Sequence, residues 1–276
     1  MNRFFRFIKI EHTLFALPLI YAGAFIAAKG ILTVAQILLI LTAASGARTI
    51  AFALNRIIDR EIDRLNPRTA SRELPSGRMT IHEAYGVLLT GAILYFGSAA
   101  LLSTFCLIIS PIPILVFAVY PYMKRFTLFS HFGVGIADAL GPLGGWFAIK
   151  PSLQGATPAI YLSVFTLFWV TGFDIIYATL DEEFDRLHHL HSIPAIFGKK
   201  KALQISALLH AAAFGSLVAL FLTSLYSAIA LPFLVLSGVL LYLEQKKSSD
   251  VELAFFKINA VEGFVVFGMV LAGIFG

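Results

Sequence analysis

Two stretches of the chain set acids and an amide at helical spacing. One reads Asn55-Arg-Ile-Ile-Asp59-Arg-Glu-Ile-Asp63, the other Asp174-Ile-Ile-Tyr177-Ala-Thr-Leu-Asp181-Glu-Glu-Phe-Asp185. Steps of four drift by only about 40° around a helix, so Asn55, Asp59 and Asp63 form one stripe, and Asp174, Asp181 and Asp185 a second. Oxygen donors with no Cys or clear His pattern beside them favour a hard cation such as Mg2+. Mg2+ keeps several waters and shares its other positions with substrate phosphates, which points to a phosphorylated ligand. Arg68, Arg72, Lys124 and Arg125 are available to neutralise diphosphate oxygens not bound to metal. Metal and cations together make diphosphate a good leaving group.

Asp59 and Asp63 recur as Asp181 and Asp185 at one common offset of 122 residues. This reads as an internal repeat. An offset of four spans brings both helices to the same membrane face in the same direction, so the acidic stripes are expected to face each other as a carboxylate cluster at the mouth of a helical bundle.

The elements that must carry these residues are apolar. The chain has 276 residues, 58% hydrophobic and 13% charged, against about 45–50% and about 25% in soluble proteins. A soluble globule is excluded, and the lipid bilayer is the expected surrounding. Apolar stretches near residues 13–29, 32–57, 83–104, 106–122, 131–149, 158–179, 202–222, 225–243 and 254–275 predict an all-α integral membrane protein of nine transmembrane helices. The third and fourth stretches must form a tight hairpin. Two four-helix repeats plus a ninth helix make a single domain over 1–276, with the N-terminal apolar stretch retained as the first span rather than removed as a signal peptide. The net charge of +5 is too small and too scattered for nucleic acid, and a lone cysteine, Cys106, excludes an internal disulfide.

Basic residues set the orientation. They crowd the N-terminus (Arg3, Arg6, Lys9), the 59–82 connection and the loops with Lys124 and Arg125, with Arg186 and Lys199 to Lys201, and with Lys246, Lys247 and Lys257. The opposite connections hold only Lys29 and Lys150. The expected topology puts the N-terminus and the acidic stripes on the cytoplasmic side of the cell's inner membrane and the C-terminus outside.

In order along nearly the whole chain, Asn55-xxx-Asp59-xxx-Asp63, Arg68-Thr-Ala-Ser-Arg72-Glu-Leu-Pro75-Ser-Gly77, Tyr120-Pro-Tyr-Met-Lys124-Arg125 and Asp174-Ile-Ile-Tyr177-Ala-Thr-Leu-Asp181-xxx-Asp185 resemble the motifs of the UbiA superfamily of intramembrane prenyltransferases. The resemblance is greatest to the branch that prenylates 4-hydroxybenzoate or a related aromatic acid in quinone synthesis. Glu11-His-Thr-Leu-Phe-Ala-Leu-Pro18 is similar to the UbiA-like branch of the menaquinone route through futalosine, which keeps a naphthoate-type acceptor as an alternative. The resemblance implies a bundle with a central cavity, Mg2+ held through diphosphate by both Asp motifs (Asn55, Asp59, Asp63, Asp181, Asp185), and a polyprenyl tail leaving toward lipid. One departure is Arg56, where many relatives carry an acid.

Within that frame, Tyr120 or Tyr177 is a candidate to stabilise an allylic cation through its ring face, against the plainer role of interface anchor. Asp174 is a candidate to take the ring proton or bind the substrate hydroxyl. Arg48, seven positions before Asn55, lies two turns deeper. It either binds helix carbonyls or Asp138, or grips the carboxylate of an aromatic acid. Asp138 is a partner for Arg48 or His131, or a substrate contact. His188, His189 and His191 read as a solvated loop. Gly133, Gly135, Gly141, Gly144 and Gly145 read as close helix approach or room for substrate. A cation-coupled transporter is the rival from another class, but its acids belong near the midplane on broken helices.

Overall fold

The computed structural model describes residues 3–8, 13–251 and 253–276, and among these the ordered elements are helices with no strand. They are α1 (Arg3–Phe7), α2 (Thr13–Ala28), α3 (Val34–Ile58), α4 (Arg60–Leu65), α5 (Ile81–Leu102), α6 (Thr104–Ile109), α7 (Pro111–Met123), α8 (Ser130–Ile149), α9 (Thr157–Ala178), α10 (Glu182–Leu187), α11 (Ile193–Ser224), α12 (Leu231–Lys246), a π-helical turn (Leu253–Ile258) and α13 (Asn259–Phe275). Each apolar stretch of the sequence carries a helix, although residues 225–230 form a turn ahead of α12. Lys9, Glu11 and His12 lie outside the described residues.

Among the described residues, six helical segments are long and apolar enough to cross a membrane: Val34–Ile58, Ile81–Leu102, Thr104–Met123, Ser130–Ile149, Thr157–Ala178 and Ile193–Ser224. The helices α2, α12 and α13 have 16, 16 and 17 residues. At about 1.5 Å per residue they fall short of a hydrocarbon core about 30 Å thick. The count of nine crossings thus rests on these three. α11 begins nine residues before the apolar stretch that marked it and is kinked at Gly198, whose φ is 77°.

Local chemistry sets the helix ends. Thr33 with Gln36 and Thr80 with Glu83 form capping boxes at the starts of α3 and α5, each satisfying two donors that the first helical turn leaves over. The expected hairpin is real: one residue, Ser103, separates α5 from α6, and its side chain accepts the Cys106 amide at 3.0 Å. Pro111 then interrupts the fourth span between α6 and α7.

α9 is apolar all round and buried on nearly every side, which makes it the axis of the packing. It packs on α8 and α11, α2 on α8 and α13, and α3 on α5 and α7. Polar bonds pin the later helices around α9. The Trp169 indole donates to Asn259 Oδ1 at 2.9 Å, and Asn259 donates to Glu244 Oε1 at 3.1 Å.

The glycines of α8 divide between two duties. A Cβ on Gly145 would lie 1.9 Å from the Ile20 carbonyl oxygen, so backbone meets backbone at the α2–α8 crossing, whereas Gly144 faces open space and lines a cavity. Gly145→Ala is expected to lower stability by at least about 1–3 kcal/mol through overpacking, while Gly97→Ala, where nothing lies within 4 Å, is expected to gain up to about 1 kcal/mol of helix propensity. Thermal unfolding of the two purified variants checks the pair; equal stabilities would contradict the crossing.

Candidate active site

The repeat seen in the sequence is a repeat of local structure. α3 stops at Ile58, Asp59 follows with φ −92° and ψ 4°, and α4 starts at Arg60. α9 stops at Ala178, Asp181 has φ −109° and ψ 5°, and α10 starts at Glu182. In both copies the amide of the second aspartate donates to the carbonyl of the first at 2.8 Å. Arg125 Nη2 donates to the Ile58 carbonyl at 2.8 Å, closing one of the acceptors that a helix C-terminus leaves unpaired. The second stripe is therefore corrected. Asp174 belongs to α9, and a turn through Thr179 and Leu180 separates it from Asp181, so the three do not share one continuous helix face.

Asp59, Asp63 and Asp181 are each paired with cations rather than gathered together. Lys124 Nζ meets Asp59 Oδ2 at 2.6 Å, with Arg125 Nη2 3.6 Å from Oδ1. Asn55 Nδ2 also donates to Asp59 Oδ2, at 3.2 Å. Arg72 Nη1 reaches both oxygens of Asp63 at 2.7 and 2.8 Å, and Arg56 Nη1 stands 3.8 Å away. Arg68 crosses between the repeats, pairing with Asp181 through Nη2 and, at 2.8 Å, through Nε, while its Nη1 donates to the Tyr177 hydroxyl at 2.6 Å. Asn66 Nδ2 adds a 2.8 Å bond to Asp181. Among the described residues no three His, Cys, Asp or Glu side chains group to hold a metal. The expected carboxylate cluster is not assembled, because buried acids recruit the basic side chains of the loops.

Electrostatics follow from that burial. Desolvation pushes the Asp59 carboxyl above its ordinary range, with Lys124 pulling it back. Asp185 is likewise raised by burial and opposed by a Ser192 hydrogen bond. Burial works against the Arg68 cation, yet its bonds to Asp181 and Tyr177 outweigh this and hold its pKa above the usual value.

Behind these pairs lies a cavity of about 620 Å3. Asn55, Arg56, Arg72, Asp174, Tyr177 and Tyr120 line its motif end, Arg48 and Asp138 stand further in, and Phe52, Phe105, Phe117, Trp169 and Phe173 supply apolar wall. Arg48 Nη1 lies 3.9 Å from Asp138 Oδ1 and its guanidinium 4.9 Å from the centroid of the Phe52 ring. The Asp138 pairing anticipated for Arg48 is present, and both groups still border the cavity. Among the described residues lining it, Asp59, Asp63, Asp181, Asp185, Lys124, Arg125 and Arg68 do not figure. They form the rim. Tyr177 stacks under Arg68 at 4.8 Å, so it is a cavity residue and a rim residue at once, whereas Tyr120 packs against α8, its Cβ 2.7 Å from where a Cβ on Gly133 would stand.

His131 is not the partner of Asp138; its Nδ1 lies 2.7 Å from Asp174 Oδ2. The sequence reading missed that pairing and Asn66 entirely, since neither residue belongs to a spaced motif. Arg56 was read only as a lost acid, but it is a buried guanidinium on the cavity wall beside Asp63. His188 and His189 are exposed after α10.

Comparison with known proteins decides the family. Residues 16–261 match the model of the UbiA prenyltransferase family. The chain belongs to that family. A UbiA homolog from Aeropyrum pernix K1 is 35% identical and superposes with a TM-score of 0.88 over 95% of this chain and 98% of that one. A UbiA homolog from Archaeoglobus fulgidus bound to GPP and Mg2+ shares the fold, with a TM-score of 0.73 at 19% identity over 99% of both chains. The 4-hydroxybenzoate octaprenyltransferase of Francisella tularensis subsp. novicida (strain U112) is 28% identical over 153 residues, 55% of this chain and 53% of its own length. That of Herminiimonas arsenicoxydans is 31% identical over 152 residues, again 55% and 53%. The match thus spans about half the length of these curated relatives. With family and apolar helices together, this UbiA-family chain is an integral membrane protein.

The rim pairing has a direct test. Lys124→Met leaves the buried Asp59 with the Asn55 hydrogen bond and the longer Arg125 contact and is expected to cost about 1–3 kcal/mol. The double variant Asp59→Asn, Lys124→Met is expected to recover most of it, as read by thermal unfolding without substrate. A double variant as unstable as the sum of the singles would sink the pairing.

Proposed function

We propose that this protein transfers a polyprenyl group from polyprenyl diphosphate to an aromatic acid, 4-hydroxybenzoate or similar, in respiratory quinone biosynthesis, with release of diphosphate. The single observation that carries the reading is the cavity itself, with Arg48, Asp138 and Asp174 bordering an apolar chamber and the paired residues of the two Asp motifs beside it. The names of the curated relatives and the ligands of the A. fulgidus homolog support the donor and acceptor classes. In this reading the single domain 1–276 crosses the cytoplasmic membrane nine times, as two four-helix repeats and a ninth helix. The N-terminus and rim face the cytoplasm and the C-terminus lies outside, as the basic loops favour.

The residues fit Mg2+. The donors are oxygens only, Asp59 Oδ1 is buried and accepts no hydrogen bond, and Mg2+ needs only one or two carboxylates when phosphates complete its shell. Asn55, Asp59, Asp63, Asp181 and Asp185 would hold it, where it would neutralise charge developing on the departing diphosphate. Lys124, Arg125, Arg68 and Arg72 neutralise the remaining diphosphate oxygens, so Lys124 and Arg68 change partner from carboxylate to phosphate when the donor arrives. The C1–O bond of the donor breaks with its electron pair going to diphosphate. The rings of Tyr120 and Tyr177 face the resulting allylic cation, and the apolar wall keeps water away from it. Arg48 holds the carboxylate of the acceptor, with Asp138 fixing the guanidinium, and a ring carbon beside the hydroxyl bonds to C1. Asp174 then takes the proton from that carbon.

The test is turnover by purified protein supplied with Mg2+, geranyl diphosphate and 4-hydroxybenzoate. Prenylated acid and diphosphate are expected in equal amounts, with chelation of the metal abolishing both. Arg48→Lys is expected to raise KM for the acid about tenfold while leaving KM for the donor unchanged. Solute uptake by reconstituted protein, without diphosphate release, would replace the reading with a transporter.

A further inference from the structure

The crossing of α8 and α9 places His131 opposite Asp174. A Cβ on Gly135 would lie 2.2 Å from Thr171 Oγ1 and 2.6 Å from the Leu167 carbonyl oxygen, so only glycine lets the helices approach there. The two helices are consecutive and antiparallel. Four residues back along α8 from Gly135 is His131, and three residues on along α9 from Thr171 is Asp174, so both lie one turn from the crossing on the same side. The approach at Gly135 thereby sets the His131 Nδ1 to Asp174 Oδ2 distance of 2.7 Å.

The protons on the ring can be assigned from its partners. Ile193 opens α11, and its amide, one of the donors a helix start leaves unpaired, lies 3.3 Å from His131 Nε2. A backbone amide can only donate, so Nε2 accepts and the neutral ring carries its proton on Nδ1, aimed at Asp174 Oδ2. His131 is buried, and Asp174 borders the cavity with a quarter of its side chain exposed. One carboxylate oxygen is held by the imidazole. The other, Oδ1, is left for the cavity.

We propose that His131 is a positioning residue for the prenyl transfer, fixing the Asp174 carboxylate so that Oδ1 faces the ring carbon that loses its proton. The inference rests on the reading of Asp174 as the proton acceptor. His131 does not relay the proton onward, because its second nitrogen is occupied by the Ile193 amide; the proton moves from the ring carbon to Asp174 Oδ1 and leaves with water after the product. A donor at the Nδ1 position is all that the role needs. An asparagine side chain supplies one, and a leucine does not.

The experiment compares H131L, H131N, D174N and the H131L/D174N double variant of the full chain, with Mg2+, geranyl diphosphate and 4-hydroxybenzoate, recording kcat, both KM values and thermal stability. H131L is expected to lower kcat about 10–100-fold, as loss of an orienting partner does, with both KM values within about twofold of native. H131N is expected to restore kcat to within about threefold of native. Both variants lose the acceptor for the Ile193 amide, so both should be destabilised alike, which separates stability from turnover. D174N is expected to be inactive, and the double variant no slower than D174N alone. H131L turning over at the native rate, or H131N as slow as H131L, while D174N is inactive, would overturn the inference and leave the Asp174 reading standing. D174N with native turnover would overturn the Asp174 reading and this inference with it. Should H131L fail to fold, H131N decides alone: near-native kcat supports the role, and a loss above about tenfold overturns it.

Discussion

A carboxylate held at the edge of a membrane bundle costs several kcal/mol unless a cation meets it, and the motif end of this protein is organised by that requirement. Asp59 ties the end of α3 to the end of α7 through Lys124 and Arg125. Asp63 ties α4 to its following loop through Arg72. Asp181 receives Arg68 and Asn66 from the first repeat, which fastens the two repeats to each other across the mouth. Under the proposed function, a diphosphate that enters would compete for the same lysine and arginines, so the pairs that close the mouth would also bind the donor.

Much of this was legible in the sequence because its signals are periodic. A bilayer forces long apolar runs, and each of the runs carries a helix. A four-residue spacing of acids survived even a helix break, since the amide of Asp63 still bonds the Asp59 carbonyl. What the sequence hid was partnership across the fold. Asp174 shares a motif with Asp181 but faces His131 of α8, and the two motifs that promised a carboxylate cluster draw in basic loop residues instead. Three-dimensional neighbours such as Gly135 and Thr171, or Asn66 and Asp181, leave no spacing to read. Loop and span lengths were less legible for a similar reason. α12 is only 16 residues long because residues 225–230, apolar in sequence, form a turn before it, whereas its polar end runs on as helix through Glu244 and Gln245, which bond Asn259 and His210.

Arg56 alters the charge of the site. Paired beside Arg72 on a single carboxylate, it leaves an excess of positive charge on the cavity wall next to Asn55. In a low-dielectric chamber such an excess favours anionic ligands more strongly than it would in water.

The central claim is that Asp59, Asp63 and Asp181 are satisfied by protein cations until, under the proposed function, a diphosphate brings the metal with it. Isothermal titration of the purified protein with Mg2+ alone, with an unreactive thio analogue of geranyl diphosphate alone, and with both together addresses it most directly. The account predicts little heat from Mg2+ alone, weak binding of the analogue alone, and tight binding when both are present. Stoichiometric, tight Mg2+ binding without diphosphate, or analogue binding indifferent to Mg2+, would contradict it.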